Sequence, residues 1–364
     1  MKYMKLFLIT IAGMLIVACG NESDLVNNHS QERVEIKLGS SLNVATRAAF
    51  TATQGEEIAS GEIIYAWIDD VGDPSATPTP IAASEYVTGW TLSAAAPVNT
   101  GDPQVLNSVG PNKYYFPTTG RNINIYALHG NFGTAVTEGT TTWATFETSL
   151  THSVEKNQNS DGNYEKSDLF CAHLLNKGKT DGTLNLPFNH VLSKVEVYLF
   201  RGTGVSAADL SNISSITLKS PELTGDVTLT KPSDATTQVA SVAVPETSNK
   251  DDITMRLQKD ASGVDKSSEA PEGFSPDDDD MNAYAFGEAV IIPQTIGTPG
   301  ETPVTADFIS VNFSEGGSLV AKVAQTFDAG TRYRFFIIVN RTGLQLTAKL
   351  SDWTSGGTIP GVAD

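Results

Sequence analysis

The residues that most often carry chemistry are few in this chain, and their spacing does not bring them together. The histidines are His29, His129, His152, His173 and His190. No two stand four apart, the spacing that aims two imidazoles at one metal from a helix, and no cysteine set has zinc spacing. Ser153-Val154-Glu155-Lys156 sets a lysine three residues after a serine, where an amine can activate a hydroxyl. The companion motifs of such a nucleophile are missing, and there is no G-x-S-x-G elbow. Gly178-Lys179-Thr180 ends like a phosphate-cradling loop, but His173 stands where the first glycine is needed. Asp277 to Asp280 could gather a hard cation such as calcium. They lack the central glycine and ligand spacing of a calcium loop, so a solvated acidic loop is expected. With no catalytic centre, no metal site and no cofactor motif, the expectation is a binding or structural protein rather than an enzyme.

Composition narrows the class further. The chain has 364 residues, 40% of them hydrophobic, enough for one large core or two smaller ones. Lys plus Arg is 24 against 42 for Asp plus Glu, a net charge of −18. Such a surface repels nucleic acid and anionic lipid. A membrane partner would have to be reached through a lipid anchor rather than a basic patch.

The start of the chain supplies such an anchor. Lys2 and Lys5 precede an apolar run from Leu6 to Val17, the plan of an export signal and too short to span a bilayer comfortably. Leu15-Ile16-Val17-Ala18-Cys19 resembles the lipobox of bacterial lipoproteins, in which the Cys sulfur is acylated and becomes the mature N-terminus. The resemblance makes residues 1–18 a signal peptide and Cys19 the lipidation site. Glu22 and Asp24 behind it resemble a surface-export signal of Bacteroides-type lipoproteins. The only other cysteine, Cys171, then has no partner in the chain. Its setting, Leu169-Phe170-Cys171-Ala172, reads as a buried, inert thiol.

The elements that follow read as strands. Gly20 to about Glu32 is polar and tether-like. Val34-Glu35-Ile36-Lys37-Leu38 alternates strictly, and Leu42 and Val44 continue at period two. Arg47 follows among small residues. By its own sequence it is either a surface arginine at a strand end or a cut site for a trypsin-like protease. Further strands are expected at Glu62–Ile68, Tyr86–Leu92, Lys113–Pro117 and Asn122–Leu128, with a strand or short helix at Trp143–Leu150 and a polar loop at Lys156–Lys166. Later strands are expected at Leu184–His190, Val191–Phe200 and, at turn-separated intervals, on to Leu350. In Val191–Phe200 the residues Val195, Val197 and Leu199 alternate with Lys194, Glu196 and Tyr198. Many short strands without a convincing long helix indicate an all-β protein of sandwiches or barrels.

Several blocks together look like the fimbrillin family, the pilus subunits of Bacteroides-type bacteria. Asp168 to Ala172 with Leu184 to Val197 is similar to the family's most recognisable block. Ala289-Val290-Ile291-Ile292-Pro293-Gln294 resembles a second, and Arg332 to Phe335 through Leu346 to Trp353 resembles the closing one. The resemblance implies two transthyretin-like β-sandwich domains in tandem, here 48–183 and 184–364, behind a tether and releasable first strand at 19–47. It implies export as an outer-membrane lipoprotein, proteolysis between Arg47 and Ala48, and removal of the strand from Val34 to Thr46. The opened groove would accept a donor strand from another pilus subunit, so that the partners are other subunits and a host or bacterial surface ligand at the fimbrium. Thr354 to Asp364, the family's usual donor position, carries paired glycines, Pro360 and only Ile359 and Val362 as sizeable apolar groups. That departure points to a tip or accessory subunit. The alternative is a monomeric surface lipoprotein that binds glycan or another ligand, with exposed aromatics such as Trp90, Trp143 or Tyr114-Tyr115 stacking on sugar rings.

Overall fold

The computed structural model describes residues 33–42, 58–77, 79–96, 103–259, 283–341, 343–352 and 357–359. Its first half is a closed barrel built from β1 (Lys37–Leu42), β2 (Ile63–Asp70), β3 (Ser84–Ala94), β4 (Gln104–Ser108) and β5 (Ile123–His129), with two later strands. The next strand, β6 (Thr151–Ser153), leaves the barrel for a sheet of the second half. The barrel resumes with β7 (Phe170–Lys177) and β8 (Thr183–His190). Around the barrel the order is β1-β4-β3-β2-β5-β7-β8, returning to β1. Every neighbouring pair is antiparallel except β1 and β8, which run parallel.

Alternation explains the barrel's two faces. Ile64, Ala66 and Ile68 of β2 point into one buried cluster with Ile36, Leu38, Trp90 and Phe188. Trp67 points the other way, stacked on Phe146 at 4.8 Å and edge-on to Trp143 at 5.5 Å. Its indole N–H donates to Thr141 O at 2.9 Å. That outer cluster is continuous with the core of the second half.

The second half begins with β9 (Ser193–Arg201) and β10 (Ile213–Leu218), followed by β11 (Thr224–Leu229), β12 (Ala240–Ala243), β13 (Ile253–Thr254), β14 (Arg256–Gln258) and β15 (Ala285–Ile291). It continues through β16 (Gln294–Ile296), β17 (Ala306–Phe313), β18 (Ser318–Val323), β19 (Gln325–Phe327), β20 (Thr331–Asn340), β21 (Gly343–Asp352) and β22 (Gly357–Ile359). A six-stranded sheet, β14-β15-β9-β20-β21-β22, accompanies a four-stranded sheet, β13-β10-β17-β18. Val195, Val197 and Leu199 share one core with Ile216, Leu218, Phe308 and Val311. The described helices are single turns: α1 (Trp143–Phe146), α2 (Asn163–Ser167) and α3 (Ala207–Ser211).

The all-β reading holds, and several local expectations change. Trp143–Leu150 resolves into α1, capped by the Thr142 hydroxyl on the Thr145 N–H. The polar stretch Lys156–Lys166 contains most of α2. Lys113–Pro117 forms no strand; only Tyr115 bridges, to Glu35. Pro293 lacks a ladder donor and stands between β15 and β16. β8 hydrogen-bonds to β1 and β7, so the barrel runs through His190 and the second set of sheets starts at β9. A division into two sandwich domains remains a proposal, and strand pairing puts its boundary after His190 rather than at 183. Gly357–Ile359, inside the polar C-terminal stretch, pairs with β21 as an edge strand.

The polar side of β9 is not a solvent face. Lys194 and Glu196 are as buried as Val195 and Val197. Lys194 Nζ lies 3.2 Å from Glu196 Oε1 and 3.0 Å from Glu288 Oε2 on β15. Tyr198 OH and Arg334 Nε donate to Glu196 Oε2 at 2.9 and 3.2 Å. Burial alone would raise the Glu196 carboxyl, but Lys194, Arg332 and Arg334 outweigh it and hold it down to about 2. For Glu288 burial prevails over Lys194 and the carboxyl is pushed up. The segment around α2 approaches this cluster: Glu165 pairs with Arg256 at 3.1 Å, and the Tyr164 ring lies 6.0 Å from Lys194 Nζ. Gln158 bonds both the N–H and C=O of Val290, closing a backbone site that a neighbouring strand would otherwise fill.

Candidate functional site

The seat of β1 is the feature on which function turns. The alternating stretch Val34 to Leu42 enters beside Tyr114 and Phe116: Ile36 N donates to Tyr114 O at 2.8 Å, and Phe116 N donates to Val34 O at 2.9 Å. It then becomes β1, with Leu38 opposite Leu106 of β4 and Leu184 of β8. The parallel ladder with β8 runs from Lys37↔Thr183 to Leu42↔Phe188. Ile36 and Leu38 are 2% and 1% exposed, so the apolar half of the alternation faces the barrel core. Lys37 is exposed, and Glu35 forms a surface ion pair with Lys113 at 3.1 Å.

β1 therefore joins the two ends of an otherwise open six-stranded sheet. Without it, β4 and β8 become edges with unpaired backbone groups, and Ile36 and Leu38 no longer fill the core between them.

Across the gap from β1, Gln104 fastens the chain where it returns. Its amide donates to Ile58 O at 2.7 Å and Ala95 O at 2.9 Å, and its carbonyl accepts from Ile58 N at 2.7 Å. Gln104 is buried, as is Ile58. The chain is thus held before residue 43 by β1 and from Ile58 onward by Gln104. The sequence does not reveal β4 or Gln104, because five residues with three polar members carry little alternation signal; the single cue is a glutamine and a leucine at period two.

The expected modification sites, Cys19 with Arg47 and Ala48, lie outside the described residues, as do His29 and Asp277 to Asp280. Arg47 falls in the segment joining β1 to Ile58. The other candidates are dispersed. Lys156 pairs with Asp251. His190 Nδ1 lies 3.0 Å from Asp168 Oδ1, and His173 Nε2 lies 2.9 Å from Asp234 O. His152 is fully buried, with Nδ1 accepting from Asn131 N–H at 3.1 Å and Nε2 donating to Ser167 O at 2.9 Å. Gly178-Lys179-Thr180 lies in the loop between β7 and β8. Among the described residues no three potential metal ligands converge. Cys171 is buried, and burial pushes its thiol up to about 11, which leaves it inert. Trp90 and Trp143 are 4% and 5% exposed and serve the core, so neither offers a stacking face to a sugar. Trp90 is edge-on to Tyr114 at 5.0 Å.

An all-β protein whose barrel is closed by its own first strand is the class that this geometry defines. Residues 44–353 match the family described as fimbrillin-like, and the chain belongs to that family. Its fold is similar to that of a candidate cell adhesion protein from Bacteroides uniformis, with 17% identity, a TM-score of 0.53, and coverage of 89% of this chain and 99% of that one. A candidate cell adhesion protein from Bacteroides ovatus is similar at 12% identity and a TM-score of 0.54, with coverage of 89% and 99%. The tip fimbrial protein Mfa3 from Porphyromonas gingivalis, in a C-terminally truncated form, also matches, at 8% identity and a TM-score of 0.41 over 88% of this chain and 100% of that one. No curated protein sequence matches.

Proposed function

We propose that the protein is a fimbrial subunit that enters a pilus by strand exchange after proteolysis between Arg47 and Ala48. Cys19 carries lipid and holds the precursor at the outer membrane. The cut releases the segment that contains β1, and a strand from another subunit takes its place. One observation carries this reading: β1 seals the gap between β4 and β8 through two ladders, while Gln104 holds Ile58 independently of it. A strand repeating those ladders runs antiparallel to β4 and parallel to β8, with alternate side chains in the pockets of Ile36 and Leu38. Because the subunit that accepts a strand need not return one to the same partner, the contact is heterologous and extends a filament rather than closing a dimer. The polar stretch Thr354 to Asp364 favours a tip or accessory place, where accepting suffices. Its outer surface would then meet a host or bacterial ligand.

Intact mass and N-terminal sequence of the protein recovered from cells test this. A mature start at Ala48, without lipid, is the expected result. A start at acylated Cys19 with Val34 to Arg47 retained would mean that the groove stays filled, and the protein would be an anchor or a monomeric binder.

A further inference from the structure

We propose that Ser40 is a built-in weak position of β1, and that the strand replacing β1 carries an apolar residue at its register. The proposal rests on the strand-exchange reading and adds the chemistry of the incoming partner.

Ile36, Leu38 and Ser40 alternate along the strand, and all three are buried. The first two are apolar. Ser40 is 2% exposed, and its hydroxyl has no hydrogen-bond partner. Its register partners explain why. On β8 it faces Leu186, which is fully buried and apolar. On β4 it faces Gln104, whose two amide hydrogens are committed to Ile58 O and Ala95 O. A buried hydroxyl without a partner loses its water and gains nothing in return. A strand with the same backbone ladders and an apolar side chain at this position avoids that cost and adds buried area. Exchange is decided by the difference between outgoing and incoming strands, so one poor position in the outgoing strand sets its direction.

The next register restricts the partner in another way. A Cβ on Gly39 would meet the Asn185 Oδ1 first, and would stand 3.0 Å from Thr183 Cγ2 and 3.1 Å from Gln104 O, closer than ordinary packing. The incoming strand is therefore held to glycine or another small residue there. Together the positions ask for apolar, any, apolar, small, apolar in the registers of Ile36 to Ser40. No five-residue window of Thr354 to Asp364 puts sizeable apolar residues at the first, third and fifth places. The natural partner is thus a segment of a different subunit rather than a second copy of this tail.

The test uses the full chain cut after Arg47, with the released strand still seated, and labelled peptides spanning Val34 to Arg47. The native-sequence peptide, an S40A peptide and a G39V peptide compete for the groove. S40A should displace the seated strand about 3- to 10-fold better than the native peptide, and G39V should displace it less well. Equal or poorer displacement by S40A overturns the Ser40 assignment and leaves strand exchange standing. Failure of every peptide, the native one included, overturns strand exchange and this inference with it. On the uncut chain, S40A should raise the melting temperature; a fall would contradict the proposal independently of any peptide.

Discussion

Gln104 and Ile58 are joined by two hydrogen bonds of 2.7 Å each, on the far side of the segment that carries Arg47. The pairing separates two jobs. β1 closes the barrel upstream of Arg47, and Gln104 secures the chain downstream. A cut between them can therefore free β1 without unravelling the new N-terminus.

Gln104→Leu should expose this division. It strands the buried N–H and C=O of Ile58 and removes a donor from Ala95 O. Loss of about 2–4 kcal/mol in urea unfolding is expected, in cut and uncut chains alike. Unchanged stability would mean that the downstream segment is held by something else.

The sequence made some of this visible. The alternation of Val34 to Leu38 announces a half-buried strand, and β1 is one. The apolar runs of β2, β5 and β20 are equally plain, and Leu169 to Ala172 correctly marks Cys171 as buried. The rest depends on tertiary context. β4 has too few apolar residues to register, yet it is one wall of the seat. β9 reads as one dry and one wet face, because Lys194 and Glu196 alternate with valines. Both faces are dry, since distant residues on β15 and β20 pair with those charges and the Tyr164 ring of α2 lies near Lys194. Nothing local to residues 193–201 encodes that cover.

The same cluster yields a second prediction. Lys194→Met leaves Glu196 and Glu288 buried without their shared cation. A loss of about 3–5 kcal/mol at neutral pH is expected from denaturant titration. Burial already pushes the Glu288 carboxyl up, and a carboxyl raised in the folded state contributes stability at low pH that is lost as pH rises through its folded value. The deficit of Lys194→Met should therefore shrink on acidification. A deficit that does not change with pH would place the cost elsewhere.

His152 sets a separate acid limit. Burial lowers its folded value from 6.5 to about 4, so the neutral ring is the form that fits between Asn131 and Ser167. The unfolded chain takes up a proton near 6.5 while the folded chain resists until about 4. Stability from this group is complete above the unfolded value and declines as pH falls through that window, by about 2 kcal/mol at pH 5. His152→Gln should flatten the pH dependence of the melting temperature between 6.5 and 4. An equally steep profile in the variant would show that other groups control it.

The removable strand is the central claim, and hydrogen exchange measured before and after cutting at Arg47 tests it most directly. Once the released segment is competed away, amides of β4 around Val105 and Leu106, and of β8 from Leu184 to Leu186, should lose protection. Those of β2, β5 and the second-half sheets should keep theirs. Unchanged protection at β4 and β8, or simultaneous loss everywhere, would contradict the account: in the first case β1 is not what seals the barrel, and in the second the barrel does not survive without it.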